Sequence, residues 1–249
     1  MSIQNLIGLG FLLLFSVILL IVNFLYQRRD QLSWRSIPAL GYLRRLIGLS
    51  VEEGKRIHLT LGWGNLFEEP FSSGLIGLNI LDRLGRVALF SDHPPIATSG
   101  RAELSLMSQD VLSHSAQMFG LENLNKFYQG QLIGITPYSY AAAAQSISSE
   151  EKVAVDLYLG HFSNESGLML DTSERNGDVS IAGSEDLTAQ AIFFGAANFP
   201  LIGEEVYAAG AYLGSNTMHK ASLRVQDYFR WAIILVILGG ILLKIAGVI

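Results

Sequence analysis

His161 and the pair Asp92-His93 are the residues whose types and setting come nearest to acid–base chemistry. An imidazole titrates close to neutrality, and a carboxylate beside it can orient it as a general base. His161 follows the apolar run 153–159 and Gly160, so it is expected at the carboxyl end of a strand. Asp92-His93 precedes Pro94-Pro95, where the plainer reading is a turn capped by Asp92. A second set could hold a ligand: Gly62, Trp63, Gly64, Asn65, Ser99, Gly100, Thr136, His161, Gly183 and Ser184. Each falls at the carboxyl end of an expected strand, where open α/β sheets bind their ligands. Glycine in such a place lets a backbone approach a ligand closely, and it equally suits a strand-to-helix turn. Both readings stand at this point.

Named motifs are mostly excluded. The chain has no GxxxxGK[ST], no GxGxxG between first strand and first helix, and no GxSxG. Gly62-Trp63-Gly64 lacks the third glycine of a dinucleotide loop, and Glu68-Glu69 behind it would repel a pyrophosphate. Residues 171–178 resemble a calcium loop faintly, with the glycine at the seventh place instead of the sixth. His58 reads as a core or sheet residue of the first strand, and His114 and His219 as ordinary helix residues. Ser184 before Glu185-Asp186 reads as a helix N-cap with an acidic first turn. Glu204-Glu205 favours a helix dipole in the same way. No catalytic residue, metal-ligand set or cofactor is assigned.

Composition narrows the classes further. The 249 residues contain no cysteine, so disulfides, thiolate metal sites and a cysteine nucleophile are absent. The net charge of −5 hides a split. Between residues 57 and 218 only Arg83, Arg86, Arg101, Lys126, Lys152 and Arg175 oppose eighteen acidic residues. An acidic middle repels a phosphate backbone, which argues against nucleic acid as a partner.

The elements that must position these residues alternate. Strands are expected over 55–61, 96–98, 132–135, 153–159 and 179–182. Helical spacing falls between them, over about 72–90, 102–119, 138–146, 163–175 and 185–197, and again over 201–213. The fold class is therefore α/β: a Rossmann-like, mostly parallel sheet with helices on both faces. Transmembrane helices flank it.

Those flanking helices organise the chain. Residues 6–26 carry no charge, and at about 1.5 Å per residue they just cross a hydrocarbon core of roughly 30 Å. They are expected to be a retained anchor, since residues 1–5 hold no Lys or Arg and no small-x-small cleavage site follows. Residues 231–249 form the second span, with Lys244 near its far end where it can snorkel. Between them lie an amphipathic juxtamembrane helix (36–54), the α/β domain (55–214) and a membrane-proximal helix (215–230). The amphipathic helix has two open fates, lying on membrane lipid or packing on the domain. Arg28, Arg29, Arg35, Arg44 and Arg45 follow the first span, and Lys220, Arg224 and Arg230 precede the second. By the positive-inside rule the domain faces the cytoplasm, with both termini outside the inner membrane.

Three stretches carry a resemblance: IPALGYLRRLIGLSVEEGKRIHLTLG from Ile37, SDHPPIATSG from Ser91, and LIGEEVYAAGAYLG from Leu201. As a set they resemble an uncharacterised family of bacterial membrane proteins, a domain of unknown function with membrane helices around an α/β core. The resemblance implies that architecture and no activity. Three functions fit the sequence. The first is a non-enzymatic membrane-anchored interaction or assembly module, with a protein partner or a homo-oligomer. The second is a small-ligand sensor coupled to the membrane helices. The third is a tethered enzyme using His161 or Asp92-His93.

Overall fold

A computed structural model describes residues 3–28, 35–65, 72–88, 93–120, 130–213 and 217–246. The chain divides into two units, residues 1–35 with 214–249, and residues 36–213.

The first unit pairs α1 (Ile3–Arg28) with α9 (Thr217–Ile245). Both helices are long and apolar enough to cross a membrane, which fits membrane association. Val22 is buried among Ala221 and Val225, and the Phe229 ring stands 5.1 Å from that of Phe11 and 5.8 Å from that of Phe15. The small alanine and the branched valines let the two backbones close up while the phenylalanines fill the flank. From Thr217 onward α9 is unbroken, so the membrane-proximal segment and the second apolar run share one helix. Arg29 and residues 214–216 and 247–249 lie outside the described residues.

The second unit is built on a sheet of six parallel strands: β1 (Arg56–Gly62), β2 (Ile96–Ser99), β3 (Gly130–Leu132), β4 (Val153–His161), β5 (Val179–Gly183) and β6 (Phe199–Leu201). Their order is β3-β2-β1-β4-β5-β6. The central pair, β1 and β4, is buried on both faces: Ile57, Leu59, Val155 and Leu157 share one face, and His58, Thr60, Asp156 and Tyr158 share the other. One helical layer comprises α2 (Pro38–Glu52), α3 (Ser72–Ala88), α4 (Ala102–Met118) and α8 (Glu205–Leu213). The other comprises α5 (Pro137–Glu150), α6 (Ser166–Asn176) and α7 (Leu187–Ala196). Tyr140, Tyr158, Phe162 and Phe193 fill the core beneath this second layer. The α/β class with a parallel sheet is therefore the fold the chain adopts.

Local differences from the sequence expectation have physical causes. The strand expected at 132–135 is Gly130–Leu132 instead. Gly134 presses against the Tyr140 backbone, where a Cβ would stand 2.5 Å from its nitrogen, so the chain is already turning into α5. No strand is expected at 199–201, where the helical spacing over 201–213 begins, yet the chain forms β6 there. It is a three-residue edge strand containing Pro200, a residue that cannot donate to a ladder and is tolerated only at such an edge. Asp186, not Ser184, caps α7, accepting from the Ala189 N–H at 2.9 Å. The helix expected over 36–54 is Pro38–Glu52, with Ile37 as its N-cap and Pro38 as its first residue. Residues 171–176, expected to resemble a calcium loop, belong to α6, which Gly177 ends in a left-handed conformation.

Candidate functional site

β1 and β4 lie side by side, and the connections leaving them enter opposite helical layers. This is the switch point of a doubly wound sheet, the place where the two halves diverge. Here the strand ends are drawn unusually close. Gly62 pairs with His161 and has φ +71°, and a Cβ on it would stand 2.2 Å from the His161 carbonyl oxygen. A Cβ on Gly160 would stand 2.0 Å from the Leu61 carbonyl oxygen. Two backbone bonds then tie the edge together: the Trp63 N–H donates to His161 O (3.2 Å) and the Gly100 N–H to Gly62 O (2.8 Å). The glycines of this edge bring strand to strand, and side chains rise above the closed backbone.

Those side chains form one cluster. The Trp63 indole N–H donates to Glu165 Oε1 at 2.7 Å, an oxygen that also accepts from the Ser163 N–H at 2.8 Å. Glu165 is 2% exposed, and these two donors satisfy its buried Oε1. Trp63 meets the His161 ring edge-on, with centroids 4.9 Å apart. Arg101 Nε donates to the Trp63 carbonyl at 3.1 Å. His161 Nδ1 lies 2.9 Å from Glu185 Oε1. The hydrogen bond to Glu185 raises the His161 pKa above the ordinary imidazole value against the opposing effect of burial, and the charges of Glu185, Asp186 and Glu165 add to it. With Nδ1–H committed to Glu185, Nε2 has no hydrogen-bond partner among the described residues. The second oxygen of Glu185, Oε2, is buried and likewise unpartnered among them.

A stability test follows from that dyad. The native pKa of His161 is raised, so its contribution is fully present below the unfolded imidazole value and fades as pH rises through the native one. His161→Gln is expected to lower the melting temperature more at pH 5.5 than at pH 9, read by thermal melts of the full chain in detergent. An equal loss at both values would remove the ion pair from the account.

Beneath the edge runs a buried polar chain. Asp156 is the register partner of His58 across β1 and β4, so both side chains leave the same face of the sheet. His58 Nδ1 lies 2.9 Å from Asp156 Oδ1, and Nε2 lies 2.9 Å from Thr98 Oγ1. Asp156 Oδ2 accepts from Ser148 Oγ at 2.8 Å and from Ser173 Oγ. Tyr140 Oη donates to Thr98 O (3.2 Å) and accepts from the Gly62 N–H (3.3 Å), which joins the chain to the switch point. Burial pushes the Tyr140 phenol well up, so it stays a neutral donor.

The residues expected at the crevice divide by what they touch. Trp63 and His161 are in the cluster. Ser99 donates to Arg101 O, and Gly100 stands against Trp63 Cβ, where an added Cβ would be at 2.7 Å. Ser184 accepts from the Phe162 and Asp186 N–H groups, and Gly183 packs against Val206 and Leu201. Thr136 makes a reciprocal capping box with Ser139 at the start of α5. Gly64 is buried and Asn65 half-buried in the loop leaving β1. His93 precedes β2, and Asp92 lies outside the described residues, as do Glu68-Glu69. Sequence reasoning missed Glu165, Glu185 and Arg101 as members of the cluster. The available signal was their position, each within four residues of a strand's carboxyl end. Among the described residues no group of three or more His, Asp or Glu side chains could hold a metal ion.

The strand order and the cluster at its switch point define a doubly wound, Rossmann-like α/β domain, carried by a chain with two apolar helices of membrane-spanning length. The chain belongs to the family described as Domain of unknown function (DUF6754), whose model matches residues 2–249. That agrees with the resemblance carried by the three sequence stretches. No curated protein and no solved structure matches the chain.

Proposed function

We propose that this protein is a membrane-anchored binding module whose α/β domain takes a small, donor-bearing molecule at the carboxyl edge of its sheet. One observation carries the reading: Glu185 Oε1 holds His161 through Nδ1, while His161 Nε2 and the buried Glu185 Oε2 of the same dyad have no hydrogen-bond partner among the described residues. A buried carboxylate oxygen left unpaired is costly, and a ligand N–H or O–H would satisfy it. Imidazolium Nε2–H would donate to an acceptor on the same molecule. Glu165, Glu185 and Asp186 make the surroundings acidic, which favours a neutral or cationic ligand over a phosphate. Among the described residues no hydroxyl is hydrogen-bonded to His161, so the geometry favours binding over nucleophilic catalysis. The small-ligand module thus moves ahead of a purely structural assembly module. The basic residues beside both apolar helices support a cytoplasmic position for the domain.

Thermal melts of the full chain in mild detergent test this, using a panel of small amines, amides and polyols, with inorganic phosphate as counter-probe. A ligand at a hundred times its Kd stabilises by about 2.7 kcal/mol. Glu185→Gln removes a charged hydrogen bond and is expected to weaken binding by about tenfold to a hundredfold. Stabilisation by phosphate alone, an empty panel, or equal stabilisation of wild type and Glu185→Gln would contradict the reading.

A further inference from the structure

We propose that the ligand of this edge is a small amino acid, a zwitterion whose ammonium group meets Glu185 and whose carboxylate is held by Arg101. The proposal rests on the ligand reading above and adds the anionic half of the molecule. Its starting point is the placement of Arg101 in an acidic domain. Arg83 and Arg86 sit late in α3, Arg175 late in α6, and Lys152 just before β4. In a parallel sheet whose helices run back against the strands, those positions all lie toward the amino edge. Among the described residues from 57 to 213, Arg101 is the one Lys or Arg at the carboxyl edge, directly after β2.

Arg101 is half-buried, and only its Nε is engaged, by the bond to the Trp63 carbonyl. Its two Nη nitrogens have no hydrogen-bond or ion-pair partner among the described residues. Fixing Nε orients the planar guanidinium and leaves its fork open, the geometry that matches a carboxylate in bidentate fashion. Trp63 is also the residue whose ring meets His161, so the fork and the dyad bear on the same side chain and backbone. The edge therefore offers donors at Arg101 and at His161 Nε2, and an acceptor at the buried Glu185 Oε2. A simple amine would answer Glu185 and leave the guanidinium fork unmet. A simple anion would leave Glu185 Oε2 unmet and face the charges of Glu165 and Asp186 as well. A zwitterion answers both ends and brings no net charge.

Thermal melts of the full chain in mild detergent test this with matched probes: α- and ω-amino acids, the amide of each, and the same acid without its amino group. At least one amino acid is expected to raise the melting temperature, with its amide and its desamino acid each needing about tenfold more or higher for the same shift. Arg101→Gln is expected to weaken the amino acid about tenfold or more and to leave the amide unchanged. Arg101→Lys keeps the charge and a donor for the Trp63 carbonyl but loses the fork, and is expected to fall between Arg101→Gln and wild type. Melts without probe check that both variants fold, and the probe series on wild type stands without them. Amides that stabilise as well as their amino acids, or an amino acid indifferent to Arg101→Gln, would overturn the carboxylate and leave the donor-bearing ligand standing. A desamino acid as effective as its amino acid, or no stabilisation by any probe, would overturn both.

Discussion

Gly160→Ala is expected to cost the α/β domain about 3 kcal/mol or more, enough to remove much of the 5–15 kcal/mol that holds a typical domain. The new Cβ would stand 2.0 Å from the Leu61 carbonyl oxygen and 2.9 Å from the Gly62 nitrogen, backbone atoms of the neighbouring central strand. Nothing there is the far end of a flexible side chain. Relief requires β1 and β4 to part, which breaks the Trp63–His161 backbone bond and spreads the site above it. Gly177→Ala is the comparison. Its φ of +76° is strained for alanine, but open space surrounds it, so a loss of about 1 kcal/mol is expected. Denaturant titrations of both variants measure the difference. Equal losses would mean that the two strands do not meet as closely as described.

Asp156→Ala carries the second large effect. It leaves His58, 1% exposed, and the Ser148 and Ser173 hydroxyls facing a void at the sheet centre. Removing one member of a buried pair typically costs about 3–5 kcal/mol, because the other is stranded. Removing both strands less, so the double variant with His58→Ala should lose less than the sum of the two single losses, with a coupling of about 1–3 kcal/mol. Additive losses in the same denaturant titrations would show that His58 and Asp156 do not act as a unit.

Most of the architecture was legible in the sequence because it is written in local patterns. Two long apolar runs, five apolar strands and the helical spacing between them needed no knowledge of what lies beside what. β6 escaped because Phe199-Pro200-Leu201 is too short to show a period and carries a proline that reads as a break. The site was legible only in half. Trp63 and His161 were visible as strand ends. Their partners lie 102 and 24 positions away, at Glu165 and Glu185, and become neighbours only once β1 pairs with β4 and β4 with β5. The buried chain was hidden for the same reason. Asp156 sits in an otherwise apolar run, 98 positions from His58, and nothing local announces that the register will bring the two together.

The imidazole spectrum of His161 tests the central claim most directly. It would be recorded on the full chain in detergent across pH 5 to 9, with and without the amine, amide and polyol probes. The account predicts a His161 midpoint above the ordinary imidazole value that returns to the ordinary range in Glu185→Gln. It also predicts probe-induced shifts confined to His161 and the Trp63 indole. An ordinary midpoint indifferent to Glu185→Gln, or probes that move the other histidines as much as His161, would contradict a ligand site at this edge.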